Sequence, residues 1–351
     1  MTRNMQKILL LLVVAGLLLT MQPALLSCSH DSPDATNGSE AEGPNSHQQD
    51  QLTIVATVFA AYDFARTITQ DLAEVKLLLP PGTEPHSFEP SPMDIMLLNS
   101  TDVLICAGGE SDAWIERIVS SLSNPNLVVL RMTDMVVTIT FDEQDESHTG
   151  SANPSAHTGS SNPADATSSQ ADAAETEIDE HVWTSLRNAE VIVEECAEAF
   201  ALLDPVNEGA FHTNANSLIA QLQELDESIV EIVATASRDT IVFGDRFPFR
   251  YFVEDYGLSW FAAYSGCSTA VETNPQTIIS LVDTVAAEGI PVVFYLELSD
   301  QRIASTIAAE TGAQILPFES AHTVTRNEFE AGITYLDIMR ANAKNLEIAL
   351  N

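Results

Sequence analysis

The sequence predicts an α/β fold: two Rossmann-like lobes with parallel sheets, joined by one long rigid helix. Three observations carry that expectation. Apolar, β-branched runs alternate with amphipathic helical segments from Leu52 to Leu130; the alternation restarts at Asp239 and continues to the C-terminus; and an unbroken helical period of about thirty residues lies between the two. Strands alternating with helices predict a parallel sheet with helices on its faces.

The elements follow in order. Leu52–Phe59 (LTIVATVF) reads as a strand, Tyr62–Leu72 as an amphipathic helix and Val75–Leu79 as a second strand. Met93–Leu98 reads as a short helix, Asp102–Cys106 as a third strand, Trp114–Ser121 as a helix and Asn126–Leu130 as strand-like. The pattern then stops. Asp142–Glu180 holds ten acidic residues in 39, no Lys or Arg, and many Ser, Thr, Asn and Ala. Such a segment buries too little apolar surface to order itself, so 142–180 is expected as a disordered acidic insert.

Helical periodicity resumes at Ser185–Leu203 and breaks at Pro205. A long helix follows from Asn207 to Ala236, with Leu218, Ile219, Leu222, Leu225, Ile229 and Ile232 on one side. At 1.5 Å per residue it spans roughly 45 Å, enough to join two lobes as a stiff rod. In the second half, Asp239–Phe243, Ser259–Tyr264, Pro291–Leu296 and Gln314–Phe318 read as strands. Phe249–Tyr256, Thr277–Ala287, Gln301–Thr311 and a closing Glu328–Leu350 read as helices. The expected organisation is a first lobe over 52–206, a connecting helix over 207–236 and a second lobe over 237–351.

The N-terminus sets the compartment. Arg3 and Lys7 precede a 12-residue apolar run, Ile8 to Leu19, whereas a bilayer-spanning helix needs about 20. A positive start, a short apolar centre and a small-residue exit read as a secretory signal over 1–27. The exit, Leu25-Leu26-Ser27-Cys28, resembles a bacterial lipobox, in which Cys28 becomes the acylated first residue. The alternative is an ordinary signal with an incidental cysteine. The polar stretch 28–51 reads as a flexible tether, giving an extracytoplasmic domain lipid-anchored to the cell membrane.

Across 351 residues, 14 Lys and Arg face 51 Asp and Glu, a formal charge of −37. That excess excludes nucleic acid, whose phosphates need clustered cations, and suits a cation as partner or a saline habitat. Cysteines stand at 28, 106, 196 and 267 without C-x-x-C spacing, which excludes a zinc ribbon or thioredoxin-type motif. A bridge among Cys106, Cys196 and Cys267 stays open.

Four segments are candidates for chemistry, and three of them follow strands at the sheet edge where open α/β folds bind ligands. Pro80–Pro90 (PPGTEPHSFEP) holds His86 on a proline-stiffened loop. Asp179–Ser185 (DEHVWTS) carries His181 where the insert meets a helix, with Ser185 as a candidate N-cap. Phe243–Phe252 carries Asp245, a candidate cation ligand that could equally pair with Arg246 or Arg250, or cap the helix. Phe318–Thr323 (FESAHT) carries Glu319 and His322. Imidazoles suit zinc, whereas carboxylates shift preference toward manganese. A nucleophile–base spacing and an H-E-x-x-H motif are both absent from the sequence, so no catalysis is expected.

PPGTEPHSFEPSP (Pro80–Pro92), DEHVWTSLRNA (Asp179–Ala189) and YGL (Tyr256–Leu258) together resemble the substrate-binding lipoproteins of bacterial zinc and manganese ABC importers, the ZnuA/TroA-like cluster. The resemblance runs from about Leu52 to the C-terminus. It implies one transition metal, Zn2+ first and Mn2+ second, held between two lobes by a monomeric, lipid-anchored protein that delivers it to a cognate membrane permease. It implies His86 and His181 as first-lobe ligands. The family's third histidine is absent from the matching stretch Asp245–Phe249, and His322 then restores a three-histidine set, with Asp245 or Glu319 as further candidates. His148 and His157 in the insert are candidates for weak auxiliary capture. An adhesin-like or structural surface lipoprotein of the same fold is the alternative.

Overall fold

The computed structural model describes residues 51–84, 88–109, 112–140, 178–264 and 274–351. Cys28, His86, His148, His157 and Cys267 lie outside the described residues.

The first sheet has four parallel strands in the order β2-β1-β3-β4: β1 Leu52–Ala56, β2 Ala73–Leu77, β3 Val103–Cys106 and β4 Val128–Arg131. Helices α1 (Phe59–Thr69), α2 (Pro92–Asn99), α3 (Ala113–Val119) and the single turn α4 (Met132–Met135) connect or follow its strands. The central strands β1 and β3 are apolar along almost their whole length and buried on both faces, as parallel strands covered by helices must be. A 3₁₀ turn, Val182–Thr184, then leads into α5 (Leu186–Leu203) and α6 (Glu208–Thr235).

The second sheet repeats the plan in the order β6-β5-β7-β8, all parallel: β5 Thr240–Phe243, β6 Ser259–Ala262, β7 Val292–Tyr295 and β8 Gln314–Pro317. Its helices are α7 (Arg250–Tyr256), α8 (Pro275–Glu288), α9 (Arg302–Thr311), α10 (Arg326–Ala331) and α11 (Tyr335–Leu350). In both sheets the strand order reverses beside the first strand, so the loops after β1 and β3, and those after β5 and β7, border the crevice where such sheets hold ligands.

Helix α6, 28 residues and thus about 42 Å long, packs against α1, α5 and α11. It turns Phe211, Ala215, Leu218, Leu222, Leu225 and Ile229 inward at helical spacing. One apolar core therefore runs through both lobes, from Ile54 and Phe64 past Trp183 and Phe211 to Phe243 and Phe318.

Two expectations are corrected. The closing helix over 328–350 is two helices: Gly332 ends α10 in the left-handed region at φ 78°, and Thr334 restarts the chain through a capping box with Asp337. The acidic insert does not extend to Glu180. Ile178 forms an antiparallel bridge with Thr140, and Asp179 and Glu180 are buried, because Asp179 gains backbone and hydroxyl partners there. Smaller shifts occur at the first strand, which ends at Ala56, and its helix, which starts at Phe59. Cys106 and Cys196 are free, buried thiols, and burial pushes the Cys196 thiol up to about 12.

Candidate metal centre

Trp183 and two histidines meet at the join between the lobes. The His181 and His322 rings stand 5.3 Å apart, nearly perpendicular. Trp183 lies 5.4 Å from the first ring and 5.1 Å from the second. All three side chains are buried.

His181 is set from below. Its ring Nδ1 lies 2.8 Å from Asp179 Oδ1, and the same oxygen accepts the His181 backbone N–H at 2.9 Å. A carboxylate can only accept, so Nδ1 carries the hydrogen of this bond and Nε2 is the ring nitrogen turned away from Asp179. Asp179 is itself pinned: its N–H donates to the Ile139 carbonyl at 2.8 Å, and its carbonyl accepts from the Tyr251 hydroxyl at 2.7 Å. Asp179 Oδ2 is buried with no hydrogen-bond partner among the described residues. Glu180 packs so closely on Gly109 that a Cβ there would lie 2.4 Å from its Oε2. Ser185 caps α5 by accepting the Asn188 N–H at 3.0 Å.

His322 comes from the loop after β8. Its carbonyl and that of Ala321 accept the N–H groups of Phe59 and Ala60 at 2.9 and 3.1 Å. These are the first amides of α1, which has no side-chain cap, so the second-lobe loop satisfies donors that a helix start otherwise leaves unpaired. Trp183 Nε1 donates to the Ser320 carbonyl at 2.8 Å, and the Tyr335 hydroxyl donates to the Trp183 carbonyl at 2.6 Å. Ala321 takes φ 57° to make the turn.

Glu297, in the loop just after β7, holds the same turn. Its Oε2 accepts the Ser320 N–H at 2.8 Å and its Oε1 accepts the Ser320 hydroxyl, whose oxygen in turn accepts the His322 N–H at 3.2 Å. Burial pushes the Glu297 carboxyl upward, and the Ser320 bonds pull it back.

A cavity of about 20 Å3 opens between these groups, lined by Glu84, His181, Arg246, Glu297, Ser320 and His322 among others. That is room for one ion or water. Arg246 forks onto Glu84, with Nη1 3.2 Å from Oε1 and Nη2 3.1 Å from Oε2. Among the described residues, no three His, Cys, Asp or Glu side chains gather closely enough to enclose a metal.

The sequence-derived candidates thus fall apart into groups. His181 and His322 come together. Asp245 does not line the cavity: its Oδ1 accepts the Arg246 N–H at 2.9 Å and its Oδ2 the Leu296 N–H at 3.4 Å, so it ties β5 to β7. Glu319 does not line it either; burial, then the charges of Glu297 and Glu328, push its carboxyl to about 7. Three participants were missed. Arg246 carries a sequence signal only as a neighbour of Asp245, whose Oδ1 lies 4.0 Å from its Nε. Trp183 lies in the DEHVWTS motif, which by itself assigns it no role. Glu297 had one signal, an acidic residue directly after the apolar run PVVFYL.

A family model described as "Zinc-uptake complex component A periplasmic" matches residues 54–349. The zinc-binding lipoprotein AdcA of Streptococcus pneumoniae is 26% identical over 305 residues, 86% of this chain and 57% of the relative. The high-affinity zinc uptake system protein ZnuA of Bacillus subtilis is 24% identical over 316 residues, 90% of this chain and 93% of the relative. The chain therefore spans little more than half the length of the AdcA relatives. Among solved structures, the Zn(II)-bound ZnuA-like domain of S. pneumoniae AdcA is 23% identical with a TM-score of 0.66, covering 86% of this chain and 99% of that one. A mutant of the laminin-binding adhesin of Streptococcus agalactiae shares the fold at 20% identity and a TM-score of 0.69, covering 86% and 100%.

Proposed function

The chain belongs to the zinc-uptake complex component A family, and on that premise we propose that it is an extracytoplasmic solute-binding protein that captures a divalent transition metal, zinc first and manganese second, and delivers it to a membrane permease. The observation that carries the reading is the pair of imidazoles from different lobes, 5.3 Å apart, on a cavity large enough for one ion. Nitrogen donors about 2 Å from a shared ion suit zinc. Asp179 supplies the hydrogen-bonded carboxylate that metal-binding histidines use to fix their tautomer. His86 is proposed as the third donor, from the loop after β2, and Cys28 as the lipid attachment point. Among the described residues no helix is long and apolar enough to cross a membrane. Capture, not catalysis, is the proposed role.

Zinc titration of the metal-stripped protein tests this. His86→Ala, His181→Ala and His322→Ala should each weaken binding by at least roughly tenfold, since each removes a donor. Wild-type affinity in any one of them removes that residue from the site, and wild-type affinity in all three ends the proposal.

A further inference from the structure

The cavity holds a carboxylate and a guanidinium as well as imidazoles. Glu84 stands in the loop after β2, two residues before His86; Arg246 stands in the loop after β5. They come from opposite lobes and meet in a two-pronged pair at 3.1 and 3.2 Å. Both line the same small cavity as His181 and His322, and both are largely covered, with 18% of the Arg246 side chain and 29% of that of Glu84 exposed.

A carboxylate on that wall is a hard oxygen donor beside a nitrogen site. Oxygen donors favour manganese and other hard ions, whereas imidazoles favour zinc. A guanidinium keeps its charge at any ordinary pH and matches both carboxylate oxygens at once. It therefore occupies the lone pairs that Glu84 would otherwise turn toward a cation. The guanidinium also has Asp245 Oδ1 4.0 Å from its Nε, so with two carboxylates beside it the cavity wall gains no excess positive charge facing an incoming ion.

On the metal-capture reading above, we infer that Arg246 is a specificity-determining residue: by binding Glu84 across the lobes it keeps that carboxylate out of the coordination sphere, leaving a nitrogen-dominated site that prefers zinc to manganese. Arg246 does not touch the metal in this scheme; it acts through Glu84.

The test is competitive titration of metal-stripped protein with zinc and with manganese, using wild type, Arg246→Gln, Arg246→Lys, Glu84→Gln and the Arg246→Gln/Glu84→Gln double variant. Arg246→Gln should tighten manganese relative to zinc by roughly tenfold. Arg246→Lys keeps the charge but loses the fork, so it should move the ratio the same way by less; it is also the reporting variant if Arg246→Gln does not fold. Glu84→Gln should show no such gain, and the double variant should lose it. A role as a lobe-to-lobe latch alone would lower thermal stability or weaken both metals equally. An unchanged ratio in Arg246→Gln or, where that does not fold, in Arg246→Lys overturns the inference while leaving zinc capture intact. A gain that persists in the double variant does the same. Failure of the wild type to bind either metal ends the capture reading and this inference with it.

Discussion

At the scale of single residues, the site depends on groups that never need to touch an ion. Asp179 holds the His181 ring through Nδ1 at 2.8 Å and is itself buried. Asp179→Asn keeps the volume but replaces an obligate acceptor with a group that can also donate, so the ring can turn or change tautomer. Zinc affinity should drop by about 10–100-fold, the usual effect of losing such a support, with the fold intact by circular dichroism. An affinity within twofold of wild type would show that the Trp183 and His322 rings suffice to orient His181. His181 and His322 were legible in the sequence by different routes: His322 follows the last strand at the ligand edge, whereas His181 stands in the DEHVWTS motif where the insert meets a helix. Their contact was half legible: the edges of two sheets face each other, but which residues meet depends on the turn at Ala321 and on the carbonyls that cap α1. The Arg246–Glu84 pair was not legible at all. It joins positions 162 residues apart, whereas local reading offers Arg246 only as one of the partners open to Asp245, a contact the structure also holds with Arg246 Nε 4.0 Å from Asp245 Oδ1.

At the scale of elements, the strand and helix alternation was readable because parallel strands are continuously apolar and helices keep their period. Boundaries were less readable where caps compete with periodicity. The sequence Thr334-Tyr-Leu-Asp337 is a capping box, and Gly332 precedes it, yet the apolar period runs across both and suggests one helix. The element that matters most for the site is the turn Val182–Thr184, which places Trp183 under the two histidines. Trp183 is wholly buried, and its Nε1–H bond to Ser320 links the lobes. Trp183→Phe leaves the Ser320 carbonyl short of a donor and opens a small void. The expected loss is about 1–3 kcal/mol, seen as a lower midpoint in urea at unchanged slope, with weaker zinc binding because the His322 turn loses an anchor. A midpoint equal to wild type would mean that the α1 cap and Glu297 hold the turn alone.

At the scale of the whole molecule, charge dominates. With 51 acidic side chains against 14 basic ones, the folded state concentrates negative charge and is destabilised by its own repulsion at neutral pH. The buried carboxylates act in the same direction. Asp63, Asp112, Asp255, Glu297 and Glu319 are all held above their ordinary values, chiefly by burial, with Asp112 at about 6 and Glu319 at about 7. A raised folded-state pKa means that the folded chain binds more protons than the unfolded chain between the two values. Stability contributed this way is complete below about pH 4, where unfolded carboxylates titrate, and is lost as pH rises through about 6 to 7. The metal-stripped protein should therefore melt at a higher temperature at pH 5 than at pH 7.5, and added sodium chloride should raise the melting temperature more at pH 7.5, where there is more charge to screen. Asp112→Asn isolates one buried group: it should flatten the pH dependence between about 4 and 6 by on the order of 1–3 kcal/mol, whatever it does to the absolute stability. Thermal melts across that range at fixed ionic strength decide the matter. A wild-type protein more stable at pH 7.5 than at pH 5 would show that the ionised carboxylates are better paired in the fold than burial allows, and an Asp112→Asn slope equal to wild type would remove that residue as a contributor.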